Sequence, residues 1–214
     1  MVMTSGRLPS LVLIADGFTR SGQDQRIVQA VRFGVRWIIL RDRDARPDIL
    51  ELSARLLVGR VRKVAPSTRI ALNGPEDLAR RLEVGWHRRS DQPLARAPVR
   101  GRSSPEGRST HTLSEIRQAK EEGVDYVLFG HIFDTSSHPG ESPRGLSALA
   151  EACQEAAPDM PVIAIGGITP QRVSGCLDAG AGGVAVLSGL MQAPNLFQAV
   201  DAYMQALTPP LESE

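Results

Sequence analysis

This chain is most informative first in what it lacks. Aromatic residues make up only 4% of it, too few for a surface that stacks bases. Its 25 basic and 24 acidic residues leave a formal charge of +1, so no bulk field draws it to a polyanion or a membrane surface. The two cysteines, Cys153 and Cys176, have no CxxC spacing and no paired histidine nearby. That argues against both a zinc site and a secreted disulfide framework. The opening "MVMTSGRLPS" has no apolar signal core. The longest apolar run falls well short of the roughly 18 residues a bilayer span requires. These absences leave a cytoplasmic enzyme or binding protein as the expectation, with no nucleic-acid and no membrane partner. At 214 residues and 42% hydrophobic content, the chain can bury a core without metal or disulfides.

What is there is alternation. Short β-branched runs at 11–16, 35–41 and 69–73 read as strands, each followed by a helical pattern. The helix over 46–64 places Ile49, Leu52, Leu56 and Leu57 at helical spacing, which predicts its buried stripe. A short fourth strand is expected at 84–86. The stretch 87–108 is rich in Arg, Pro, Gly and Ser and has no apolar period, so it reads as irregular, closing on a fifth strand at 107–110. Beyond it, Thr112 and Glu115 form a capping box. Three further strands lie in "VDYVLFGHIF", "PVIAIGG" and "GGVAVLSG", each followed by a helix, and Thr169 with Pro170 opens one of these. Strand–helix alternation demands a parallel sheet with right-handed crossovers. Eight units favour a closed (β/α)8 TIM barrel of one domain over 1–214, with 1–10 as an N-terminal extension.

In such a barrel the chemistry sits at the C-terminal strand ends. Those ends are Asp16, Arg41 with Arg43, Asn73, His87, Ser109, His131, Gly166 with Gly167, and Leu187–Gly189. The turns after strands seven and eight suit a phosphate, because Gly166, Gly167 and Gly189 admit an anion close to backbone amides and Ser188 offers a hydroxyl. The alternative is that the glycines only make tight turns. Two glycine-bearing turns on adjacent strands favour a small phosphorylated metabolite as ligand. His131 ends an apolar strand, and a histidine so placed is either a packed core residue or a chemical group. His87, His111 and His138 lie in or near loops and read as solvated.

The motifs "GRSTHTLSEI", "DYVLFGHIFDTSSHPGESPRGLSAL" and "PVIAIGGITPQRVSGCLDAGAGGVAVLSGL" resemble the thiamine phosphate synthase superfamily. Its two branches are the synthase and the TenI-type thiazole tautomerase. The synthase branch implies Mg²⁺ holding a pyrimidine diphosphate, with "QLREK", "ND" and "TK" motifs. Here "ILRDR", "NG" and "SH" stand instead, so Gly74 replaces a metal-binding aspartate and His138 a lysine. The strand-four motif has become "WHRRSDQ". The tautomerase branch is similar at "RER", "NG" and "FGHVF", matched here by "RDR", "NG" and "FGHIF".

This resemblance implies a thiazole tautomerase with His131 as its acid–base group, no cofactor and no metal. It further implies a small phosphorylated thiazole ligand and a homodimer. The phosphate is assigned to Gly166, Gly167, Leu187, Ser188 and Gly189. The substrate carboxylate goes to Arg41, unless Arg41 instead pairs with Asp16 or Asp42. Asn73 and Ser109 line the pocket. A synthase with altered ligands and a non-catalytic binding barrel are the other two readings.

Overall fold

The computed structural model describes residues 10–92, 105–137 and 139–208. Its strands close a parallel barrel in chain order: β1 (Ser10–Asp16), β2 (Trp37–Arg41), β3 (Arg69–Asn73), β4 (Gly85–Arg88), β5 (Gly107–Thr110), β6 (Tyr126–Gly130), β7 (Val162–Ile165) and β8 (Gly183–Val186). Helices α1 (Gln23–Arg32), α2 (Pro47–Val64) and α3 (Glu76–Arg81) follow the first three strands. After β5 comes α4 (Leu113–Glu121), and after β6 comes α5 (Gly145–Ala156). A 3₁₀ turn at Pro170–Arg172 runs into α6 (Val173–Asp178), and α7 (Ser188–Met191) and α8 (Leu196–Leu207) follow β8. This is the expected (β/α)8 barrel. No helix among the described residues is long and apolar enough to cross a membrane.

Alternation along the strands sorts side chains into two cores. Val12, Ile14, Trp37, Ile39, Ala71, Tyr126, Leu128, Ile163 and Ala185 fill the barrel interior. Their neighbours Leu13, Ile38, Leu72, Val127, Phe129 and Val184 belong to the larger core that includes the helices, as the period of two requires. Gly107 makes the interior packing possible: a Cβ there would lie 2.1 Å from the Tyr126 ring.

Several sequence expectations need correction. The fourth strand runs on to Arg88, and Ser10 already belongs to β1. Residues 1–9 and 93–104 lie outside the described residues. On α2, Ile49, Leu52 and Leu56 are exposed, Leu56 by 60%. The buried stripe is Leu50, Ala54, Leu57, Val58 and Val61. The helix carries two apolar stripes, and only the barrel decides which is covered. The Thr112–Glu115 capping box forms, whereas Thr169 occupies an N-cap position without a side-chain bond. Ser188 opens the separate short helix α7, which the strand pattern "GGVAVLSG" conceals.

The outward side of β4 and β5 departs from the apolar rule. Arg88 is fully buried and Arg108 nearly so, and the two are register partners. They are neutralised together: Arg88 Nη2 lies 2.7 Å and Arg108 Nη1 3.0 Å from the same Glu122 oxygen, and Arg88 Nε lies 3.0 Å from Glu106. Buried charges persist only when paired in this way.

Candidate functional site

At the C-terminal end of the barrel a cavity of about 300 Å³ opens. Strand register builds its rim. Asp16 pairs with Arg41 and Arg41 with Asn73, while Gly130 pairs with Ile165 and Ile165 with Ala185. Of the strand-end residues named from sequence, all but Asp16 line this one cavity: His131, Arg41, Arg43, Asn73, His87 and Ser109, together with Gly166, Gly167, Leu187, Ser188 and Gly189.

The segment after β6 sets His131. Alternation puts Tyr126, Leu128 and Gly130 on the interior face, but β6 ends at Gly130, so parity no longer governs the next residue. The chain then continues along the end of β7. Ile132 N donates to Ile165 O (2.9 Å), and Phe133 N to Gly166 O (3.0 Å). Arg144 N closes the loop onto His131 O at 3.0 Å. His131 is thereby held 4% exposed, with Nε2 3.3 Å from the Glu141 carbonyl. That oxygen only accepts, so Nε2–H is the donor there.

The glycines have a structural task as well. A Cβ at Gly167 would come within 2.4 Å of Asp134 O, and both Gly166 (φ +97°) and Gly167 (φ +64°) are left-handed. They admit the loop that carries His131, and in doing so leave bare backbone against the cavity. Tyr203 ties the two turns together from behind: its hydroxyl donates to Ile168 O at 2.9 Å, and it occupies the space a Gly189 Cβ would need. Ser188 and Gly189 begin α7, and the first amides of a helix have no intrahelical acceptor.

Arg41 makes an ion pair with Asp16 at 3.5 Å, one of its two anticipated roles, while still lining the cavity. Its Nε is buried without a hydrogen-bond partner. Burial lowers its pKa from the ordinary arginine value, opposed by Asp16. Asn73 Nδ2 donates to the His87 carbonyl at 2.7 Å, fastening β3 to β4.

His87 corrects the solvated reading. It is 2% exposed, with Nδ1 3.1 Å from the Tyr126 hydroxyl and Nε2 3.0 Å from Ser109 Oγ. Burial, reinforced by Arg88, pushes its pKa down to about 3. His111 is half-buried and also reaches the cavity, with Nδ1 2.8 Å from Gly130 O. His138 lies outside the described residues.

Sequence reasoning missed Arg89, Ser90, Thr135 and Ser137, which also line the cavity. Extending β4 to Arg88 would have placed Arg89 at a strand end. Three arginines (Arg41, Arg43, Arg89) and three histidines thus line the space, and among the described residues no Asp or Glu does. A hard divalent cation takes carboxylate and carbonyl oxygens. Where the synthase resemblance implies an aspartate stands Gly74, whose carbonyl accepts from Trp86 Nε1 at 3.0 Å. Nor do the described residues offer a group of three or more His, Cys, Asp or Glu that could hold a metal ion. The donor set does not fit Mg²⁺; it fits an anion.

Residues 11–190 match the family model described as thiamine monophosphate synthase. The chain is 32% identical over 205 residues to a thiamine-phosphate synthase of Thermus thermophilus, covering 94% of this chain and 97% of that one. A thiamine-phosphate synthase of Salinibacter ruber is 41% identical over 145 residues, which make up 66% of this chain and 63% of that protein. Against a Synechococcus relative the match spans 28% of the relative's length. Among solved structures, a thiamine phosphate pyrophosphorylase from Pyrococcus furiosus superposes with a TM-score of 0.79 at 22% identity, covering 92% of this chain and 95% of that one. That likeness carries the fold.

Proposed function

Since the chain belongs to the thiamine monophosphate synthase family, and since, among the described residues, imidazoles and guanidiniums rather than carboxylates line its cavity, we propose that it is a thiazole tautomerase of thiamine biosynthesis. The substrate is a carboxythiazole phosphate whose ring is one tautomer short of aromatic. His131 removes the proton from the ring carbon that bears the carboxylate and returns it to the exocyclic carbon. An imidazole suits both steps, because its two protonation states are both accessible near neutral pH. The aromatic product supplies the driving force, so no redox cofactor takes part.

The phosphate sits at Gly166, Gly167, Leu187, Ser188 and Gly189. Arg41, with Arg43 and Arg89 beside it, takes the carboxylate. The observation that carries this reading is the absence of any carboxylate among the described lining residues. It favours an anionic substrate handled without a metal over a diphosphate handled with one.

The relatives' names favour a second reading, thiamine phosphate synthase, a transferase. One pair of assays separates the two. Purified protein is given the non-aromatic carboxythiazole phosphate with EDTA, and ring aromatisation is followed by ultraviolet absorbance. In parallel it is given the pyrimidine diphosphate and thiazole phosphate with Mg²⁺, and diphosphate release is measured. Aromatisation with EDTA present and no diphosphate release is the expected result. Magnesium-dependent diphosphate release without aromatisation would replace the tautomerase by the synthase.

A further inference from the structure

We infer that the Ser109 hydroxyl is a fixed hydrogen-bond donor to the ligand, its polarity set from inside the barrel by Tyr126 acting through His87. The inference concerns how the cavity reads its ligand and holds for either activity proposed above.

Tyr126 is 1% exposed and sits in the apolar interior among Val12, Ile39 and Leu128. Its hydroxyl carries one proton that needs an acceptor, since leaving a buried donor unsatisfied is costly. Trp37 packs edge-on against the same ring, with centroids 4.6 Å apart. Its indole nitrogen donates only, so it cannot take the phenol proton. Among the described residues, the only acceptor recorded at hydrogen-bond distance from the Tyr126 oxygen is His87 Nδ1, at 3.1 Å. The phenol must therefore donate to Nδ1, and Nδ1 must be bare.

A neutral imidazole with a bare Nδ1 carries its proton on Nε2. Nε2 lies 3.0 Å from Ser109 Oγ, so the serine accepts. Its own proton is then free to turn into the cavity that Ser109 lines. The opposite assignment, with Nδ1–H donating to Tyr126, strands the phenol proton among hydrocarbon. The imidazolium strands it too, and burial with Arg88 alongside opposes that charge. Each bond in the ordered chain from Tyr126 to Ser109 polarises the next. The group facing Ser109 is thus an acceptor, a carboxylate or phosphate oxygen, in keeping with the arginines around it.

Nitrogen-15 NMR of histidine-labelled protein reads the tautomer directly. The expected spectrum shows His87 as the pure Nε2–H form, unchanged from mildly acid to mildly alkaline buffer. An Nδ1–H or doubly protonated His87 would overturn the inference. Tyr126→Phe removes the phenol proton and should leave His87 a mixture of tautomers. A pure Nε2–H form persisting in a folded Tyr126→Phe protein would remove Tyr126 from the role; if that variant does not fold, the wild-type spectrum decides alone.

Ser109→Ala should weaken calorimetric binding of the carboxythiazole phosphate by about tenfold or more. Equal affinity would mean that Ser109 donates nothing to the ligand. If the wild-type protein does not bind this compound at all, the proposed function fails, and the tautomer measurement still judges the inference.

Discussion

Gly166 and His131 are in such close contact that a Cβ on the glycine would lie 2.2 Å from the histidine's own Cβ. With φ at +97° the position is also left-handed, so two separate penalties oppose any side chain. Gly166→Ala should cost about 1–3 kcal/mol or more in stability and displace His131 from the cavity. Thermal melting and turnover measured on the same sample would both fall. A normal melting temperature with normal turnover would mean the loop after β6 yields freely. Gly167→Val would not isolate phosphate binding, because the new side chain meets Asp134 O and Phe133 and disturbs the fold itself.

His131→Asn tests the proposed chemistry. The titratable nitrogen is lost while much of the shape remains, and general acid–base groups contribute about 10²–10⁴-fold in rate. Tautomerisation should slow by at least about 10²-fold with the melting point little changed. A drop in melting temperature with near-normal rate per folded molecule would make His131 a packing residue.

His87 gives the protein an acid sensitivity of defined sign. Its folded pKa is about 3 against an ordinary histidine value of 6.5, so between these values the unfolded chain binds a proton that the folded chain does not. Stability from this source is complete above pH 6.5 and declines as pH falls toward 3, by up to about 1.4 kcal/mol per pH unit. Urea titrations of the wild type and His87→Gln in neutral and acid buffer should show a shallower pH dependence in the variant. Parallel slopes would mean that His87 is protonated in the fold.

The pair Arg88 and Arg108 depends on Glu122, which both guanidiniums touch. Glu122→Ala leaves two buried cations short of their shared carboxylate. Breaking such a buried pair from one side costs about 3–5 kcal/mol, readable as a lower denaturant midpoint. A loss under about 1 kcal/mol, the scale of an exposed ion pair, would mean that water reaches this cluster.

The sequence by itself determined the barrel. Local periodicity of two and of three to four residues, with Gly and Pro as punctuation, is visible within each segment, and eight such units admit few topologies. It also determined the rim of the cavity, because strand ends are local and a parallel barrel gathers all of them at one end. Tertiary structure alone decided which of two apolar stripes on α2 is buried, since Ile49–Leu52–Leu56 and Leu50–Leu57–Val61 are equally helical in spacing. It alone carried the fourth strand on through His87 and Arg88, with His87 inside the barrel and Arg88 outside it. A buried arginine leaves no hydrophobic signal, and what makes it tolerable is Glu122, 34 residues away. The same holds for Ser109: its hydroxyl is a serine like any other in the sequence, and its direction comes from a tyrosine on the next strand, relayed through a histidine on the previous one.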